Sequence, residues 1–113
     1  MIVKAKAKYL RVSPLKLRRI ANAIRYKKLQ DAFNILKILR IKNKRYFITL
    51  LNSAKANAKI KNPDVREEDL FIKELIVNEG PRYKRIFPRP RGMAALILKR
   101  TSHIEVTLSD GKE

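Results

Sequence analysis

The chain has 113 residues with 45% apolar content, enough for one small core, and no run of residues approaches the roughly 18 consecutive apolar positions of a membrane span. Lys and Arg number 28 against 10 Asp and Glu, a formal net charge of +18, so an isolated fold repels itself and a polyanion is expected to complete it. With no Cys there is no disulfide framework and no thiolate metal site, and a reducing compartment is permitted.

The chain opens with a period-2 pattern. Val3, Ala5, Ala7 and Tyr9 alternate with Lys4, Lys6 and Lys8, which predicts a strand with three ammonium groups on one face and a packing face opposite. This start is neither a signal peptide nor an anchor. Ser13 followed by Pro14 is an N-cap and first-turn signal, and Leu17, Ile20, Ala21 and Ile24 then recur at helical spacing. Lys16, Arg18, Arg19 and Arg25 fall on the other faces of that helix. The basic stretch Tyr26 to Lys28 makes a short turn, and Ala32, Phe33, Leu36 and Leu39 predict a second helix. A third is the clearest, since Phe47, Leu50, Leu51, Ala54 and Ala58 form one apolar stripe before Asn62 and Pro63 stop it. Asp64 to Asp69 is an acidic connector or a single helical turn. Leu70 to Val77 has the composition of a core strand, punctuated by Glu79, Gly80 and Pro81, and a last strand spans Ser102 to Leu108, with a frayed tail after Ser109. The order predicts an α+β fold: a small, mostly antiparallel three-stranded sheet packed on three helices, as one domain over residues 1–113.

One segment does not fit a globule. From Gly80 through Arg100 the chain carries Arg82, Lys84, Arg85, Arg89, Arg91, Lys99 and Arg100 with no carboxylate, too long for an ordinary loop. Pro88, Pro90 and Gly92 suit an extended arm with a turn, so the flanking strands are expected to run on as a protruding β-hairpin at about residues 80–100. About nine residues per arm would project roughly 30 Å. A two-stranded ribbon without a packed face is marginal in water, so an external partner must order it.

The charges are sorted along the sequence. The first 30 residues hold ten bases and no acid, whereas six of the ten acids lie between Asp64 and Glu79. Basic zones that face phosphate, with acids turned to solvent, account for this sorting; a merely solubilising surface would intersperse the signs. Guanidinium groups can pair bidentately with phosphates, and Tyr83 and Phe87 can stack on unpaired bases, which favours RNA. Residues expected to meet it are Lys4, Lys6, Lys8, Arg11, Ser13, Lys16, Arg18, Arg19, Arg25, Lys27 and Lys28, then Arg82, Tyr83, Lys84, Arg85, Lys99, Arg100 and His103.

Catalysis has little support. Neither phosphate-loop nor dinucleotide motifs occur, and His103 is the single histidine, so a His-based relay or multi-His metal site would have one participant at most. Glu67, Glu68 and Asp69 are adjacent on a turn, which suits solvation better than paired acid and base work. No catalytic residue, metal or cofactor is assigned. Three other classes stay open: a DNA-binding protein using the first helix, which explains the charge but not the arm; a cationic membrane-surface protein; and a nuclease, whose metal-binding acids would have to lie near the basic zones.

Two blocks carry a resemblance. Ala7, Lys8 and Tyr9 through Arg11, Val12, Ser13 and Pro14 to Lys16 and Arg18 form the first. Glu79, Gly80 and Pro81, then Lys84, Arg85, Ile86, Pro88, Arg89, Gly92 and Lys99 through Ile104, form the second. With Leu51 to Ala58 between them, they resemble the large-subunit ribosomal protein L-twenty-two family over nearly the whole chain. The resemblance implies a non-enzymatic body on the outer surface of the large ribosomal subunit near the peptide exit, bound to several ribosomal RNA domains. It also implies a hairpin lining the exit tunnel, with Arg89, Pro90, Arg91, Gly92 and Met93 at its tip and a role in subunit assembly. The implied partners are large-subunit ribosomal RNA, neighbouring large-subunit ribosomal proteins and the nascent peptide, with neither a membrane nor a stable homo-oligomer. The implied location is a cytoplasmic or organellar ribosome. Pro90 stands where the family usually has a small residue, Met93 where it has Arg, and Tyr26 where Gly is common.

Overall fold

The computed structural model describes residues 1–88, 92 and 94–111, with the side chains of residues 85–88 and 94–98 outside that description. In chain order the elements are β1 (Ile2–Leu10), α1 (Pro14–Ile24), α2 (Leu29–Ile38), α3 (Lys44–Lys61), a 3-10 turn (Glu67–Asp69), β2 (Phe71–Glu79), β3 (Tyr83–Pro88), β4 (Ala94–Lys99) and β5 (Ser102–Ser109). β5 is the centre of a three-stranded antiparallel sheet in the order β1-β5-β2, and β3 and β4 pair with each other as a separate two-stranded ribbon. The α+β architecture with three helices, a three-stranded sheet and a hairpin is the one expected.

The alternation read in the sequence sorts the sheet into two faces. Val3, Ala5, Ile72, Leu75, Val77, Ile104, Val106 and Leu108 turn inward onto the helices, and Lys4, Lys6 and Lys8 remain exposed on the opposite side. α1 contributes Leu17, Ile20, Ala21 and Ile24 and α3 contributes Phe47, Leu50, Leu51, Ala54 and Ala58, the residues of the two predicted stripes. Each fully buried Leu, Ile or Phe contributes about 1.5–3 kcal/mol against the ordering entropy. Alanine at 54 and 58 lets α3 lie close to the sheet.

Both outer edges of this sheet are partly covered by side chains and turns. On β1, Lys61 Nζ donates to Ile2 O at 2.9 Å and Asn57 Nδ2 to Lys4 O at 3.2 Å. On β2, Arg25 reaches Leu75 O and Arg18 Nη2 reaches Val77 O. Further along β2's edge, Ile72 N donates to Lys27 O and Leu29 N to Leu70 O, so the turn between α1 and α2 completes the row. Unpaired edge carbonyls and amides invite a foreign strand, and these contacts remove most of that invitation. Tyr26 makes the turn: α1 ends at an extended Arg25, and the φ of +65° at Tyr26 then swings Lys27 and Lys28 onto the strand.

Four expectations are corrected. Tyr9 does not continue the packing face, because its φ is +60° at a register shift between Ala7 and Leu10, and the ring is 60% exposed. This bulge instead turns Leu10 toward the core. The flanking strands β2 and β5 do not run unbroken into the hairpin, since Gly80–Arg82 and Arg100–Thr101 interrupt them and Pro81 has no N–H for a ladder. Among the described residues the paired arms are six residues each, and the rest of the expected arm length lies outside them. Asp110, directly after Ser109, is tied down, its carboxylate 2.9 Å from the amino group of Met1 with both side chains under a tenth exposed, while residues 112–113 lie outside the described residues. Ser13 stands at the N-cap of α1 as predicted, yet its hydroxyl makes no capping bond.

The molecule measures 66 × 26 × 17 Å with a radius of gyration of 17.5 Å. A compact fold of this length would have about 13 Å. The excess reflects β3 and β4 forming a two-stranded sheet separate from that of the body.

Candidate nucleic-acid interface

The junction between body and ribbon is where the sequence's basic zones converge. Glu79 pairs with Ser102 at the end of the body sheet and Tyr83 pairs with Lys99 at the start of the ribbon. Between them Gly80 N donates to Thr101 O at 2.8 Å, and Thr101 Oγ1 donates to Pro81 O at 2.7 Å. A Cβ at Gly80 would stand 2.5 Å from Thr101 Oγ1 and 3.1 Å from His103 Cε1, so the two chains approach here as only glycine allows. On the β1 side, Ser102 Oγ donates to Val12 O at 2.6 Å and Tyr9 N to His103 Nδ1 at 3.0 Å, with the two rings edge to face at 4.9 Å.

These bonds hold open a cleft of about 470 Å³ lined by Arg11, Val12, Ser13, Lys16, Asn43, Tyr83, Lys99, Arg100 and Thr101. Six of the residues singled out in the sequence, Arg11, Ser13, Lys16, Tyr83, Lys99 and Arg100, are thus brought together. Asn43 was missed, because nothing in an Asn ahead of a helix signals that its loop folds against the ribbon's root.

Elsewhere the predicted residues spread over connected surfaces. Lys4, Lys6 and Lys8 line the open face of the sheet, where Lys8 shares a shallow depression with His103 and Glu105, and Lys4 Nζ lies 3.8 Å from Glu105. Arg19, Lys27 and Lys28 are exposed on α1 and the following turn. Arg18 and Arg25 are partly engaged, as described, with Arg25 Nη1 also donating to Asn22 Oδ1 at 2.8 Å. Arg82 is bonded to Glu79; that hydrogen bond, with the charges of Arg82, Arg100 and Arg18, holds the Glu79 carboxyl below its ordinary value and raises Arg82. Lys84 is exposed. The side chain of Arg85 lies outside the described residues, as do Arg89, Pro90, Arg91 and Met93; Gly92 is exposed with φ +73°.

The acids gather at the other end. The turn Glu67–Asp69 precedes Phe71, which pairs with Ser109, a full nine-residue strand away from Glu79. At 3.3 Å per residue that is about 26 Å. Glu67 is neutralised by Lys55 at 3.0 Å. Among the described residues no group of three or more His, Cys, Asp or Glu could hold a metal ion, and no helix is long and apolar enough to cross a membrane. The arrangement is suited to binding an extended polyanion along the sheet face, the root cleft and the ribbon.

Comparison with known proteins gives the same chain a family. The model for ribosomal protein L22p/L17e matches residues 5–109. A protein named large ribosomal subunit protein uL22 from Thermus thermophilus is 49% identical over 113 residues, covering 97% of this chain and 96% of its own length. Proteins of the same name from Lawsonia intracellularis and Deinococcus radiodurans are 46% and 44% identical, covering 97% and 94% of this chain and 97% and 78% of their own lengths. The chain belongs to the ribosomal protein L22p/L17e family, a family of structural ribosomal proteins and not of enzymes.

Proposed function

We propose that this chain is a structural constituent of the large ribosomal subunit that binds ribosomal RNA, helps to organise that RNA during assembly, and contributes its hairpin to the wall of the peptide exit tunnel. The observation that carries RNA binding is the gathering of Arg11, Lys16, Lys99 and Arg100 at the root of the hairpin, none with a hydrogen bond or ion pair among the described residues. Four cations gathered without an ion pair among the described residues repel one another, and a phosphate backbone relieves that repulsion with release of its own condensed ions. Lys4, Lys6, Lys8, Arg19, Lys27 and Lys28 extend the same surface. Arg18, Arg25 and Arg82 join it through the guanidinium N–H groups left after their intramolecular bonds, and Arg85 and His103 through the ribbon and the sheet.

Tunnel lining rests on family membership and on β3 and β4 forming a sheet of their own apart from the body's, with Arg89, Pro90, Arg91, Gly92 and Met93 proposed as the tip. The nascent peptide and neighbouring ribosomal proteins are the remaining partners, and the protein works as one domain, a monomer within a cytoplasmic or organellar ribosome.

The test is the salt dependence of binding to large-subunit ribosomal RNA. Each neutralised phosphate contributes roughly −0.7 to −0.9 to the slope of log K against log salt, so about ten contacts give a steep line. A slope shallower than about −2, or a preference for duplex DNA at the same salt, would overturn the reading.

A further inference from the structure

We infer that the cleft at the hairpin root is a receptor for a single unpaired nucleotide of RNA, taking its phosphate on Arg11, Lys16 and Arg100 and its base against Tyr83. This deepens the RNA-binding reading above and rests on it.

The cleft is concave and about 470 Å³ in volume, within the range of pockets that enclose a small organic ligand and far too small for a duplex. Its chemistry is divided as a nucleotide is divided. Arg11, Lys16, Lys99 and Arg100 supply donors of one sign, no carboxylate lines the cleft among the described residues, and Glu79, which feels the charge of Arg100, is already bonded to Arg82. Tyr83 supplies an aromatic surface that is 46% exposed and makes no ring contact among the described residues. Asn43 adds an amide able both to donate to and to accept from a base edge.

A cluster meant only for phosphate needs neither the ring nor the amide. Stacked bases inside a helix offer no face to Tyr83, whereas a nucleotide splayed from a loop or bulge does. The walls are also set beforehand, by Ser102 to Val12, Thr101 to Pro81 and Gly80 to Thr101, so little ordering remains to be done on binding.

The experiment measures binding of the full chain, at one fixed salt concentration, to a short RNA duplex carrying one unpaired adenosine and to the same duplex without it. Wild type should prefer the bulged RNA by roughly 5- to 150-fold, the range of one base–aromatic stack. Tyr83→Leu should erase the preference, Tyr83→Phe should keep it, and Asn43→Ala should reduce it. Tight and equal binding of both RNAs by wild type would overturn the nucleotide receptor and leave RNA binding standing. A preference that survives Tyr83→Leu would place the base elsewhere and also overturn it. So would a glutamate-rich peptide that binds with the same dependence on Tyr83, since the cleft would then be an acidic-peptide groove. Failure to bind either RNA at low salt would remove both readings.

Discussion

The guanidinium of Arg25 folds back on the backbone of Leu75, with Nε and Nη2 donating to the same carbonyl oxygen at 3.2 and 2.9 Å. Leu75 O faces outward from the edge of the sheet, so this bond serves the fold first. Hydrogen bonds to a charged donor are worth about 1.5–3 kcal/mol, and partial access of water lowers that, so Arg25→Met should cost about 1–2 kcal/mol in urea unfolding. It should also make the β2 edge adhesive, visible as concentration-dependent association in sedimentation. An Arg25→Met protein of unchanged stability that binds ribosomal RNA at least tenfold more weakly would assign this side chain to RNA alone.

That bond also marks where sequence reading stops. The stripes of α1 and α3 and the alternation of β5 were legible because burial imposes a period on residue type, and Leu17, Ile20, Phe47, Leu51, Ile104 and Val106 obey it. The basic cleft was legible in outline, since Arg11, Lys16, Lys99 and Arg100 have nowhere apolar to go. A positive charge reads the same whether its partner is a phosphate or a carbonyl of the next strand, so the engagement of Arg18 and Arg25 was hidden. The bulge at Tyr9 was hidden too, because the alternation of residue types continues through it while φ and register depart.

Tyr26 sits at φ +65° and is 73% exposed. A side chain in the left-handed region costs roughly 1–2 kcal/mol, and glycine there loses about 0.5–1 kcal/mol to the entropy of its unfolded chain. Tyr26→Gly should therefore be neutral or stabilising by up to about 1 kcal/mol, read from the urea midpoint. A clear loss of stability would show that the ring packs on the turn and holds Lys27 and Lys28 against β2.

Glu79 carries the pH dependence of the hairpin root. Its carboxyl lies below the ordinary 4.5, chiefly through the hydrogen bond from Arg82, against a smaller opposing desolvation and with further help from the charges of Arg82, Arg100 and Arg18. A folded value below the unfolded one means that the pairing stabilises the native state fully above pH 4.5 and is lost as pH falls through the depressed value. A carboxyl-carbon NMR titration should place the Glu79 midpoint below 4.5 and move it upward in Arg82→Gln. A midpoint that does not respond to Arg82→Gln would show that the pair does not persist in solution.

Gly80 and Thr101 approach as only glycine allows, and the cost of a side chain there can be measured as a coupling. A methyl at position 80 would meet Thr101 Oγ1 at 2.5 Å, and that hydroxyl cannot swing aside without leaving Pro81 O. Overpacking of this kind costs about 1–3 kcal/mol, so Gly80→Ala should lower the urea midpoint accordingly. Thr101→Ala alone should cost about 1 kcal/mol through the lost hydrogen bond, while also clearing the space that the new methyl needs. The double variant should then be more stable than the sum of the two losses predicts, by at least about 0.5 kcal/mol. His103 at 3.1 Å still crowds the site, so recovery should be partial. Strict additivity would mean that the chain relieves the clash by moving Gly80 itself, in which case the ribbon's direction, and with it the shape of the cleft between Arg11 and Tyr83, is softer than these bonds imply.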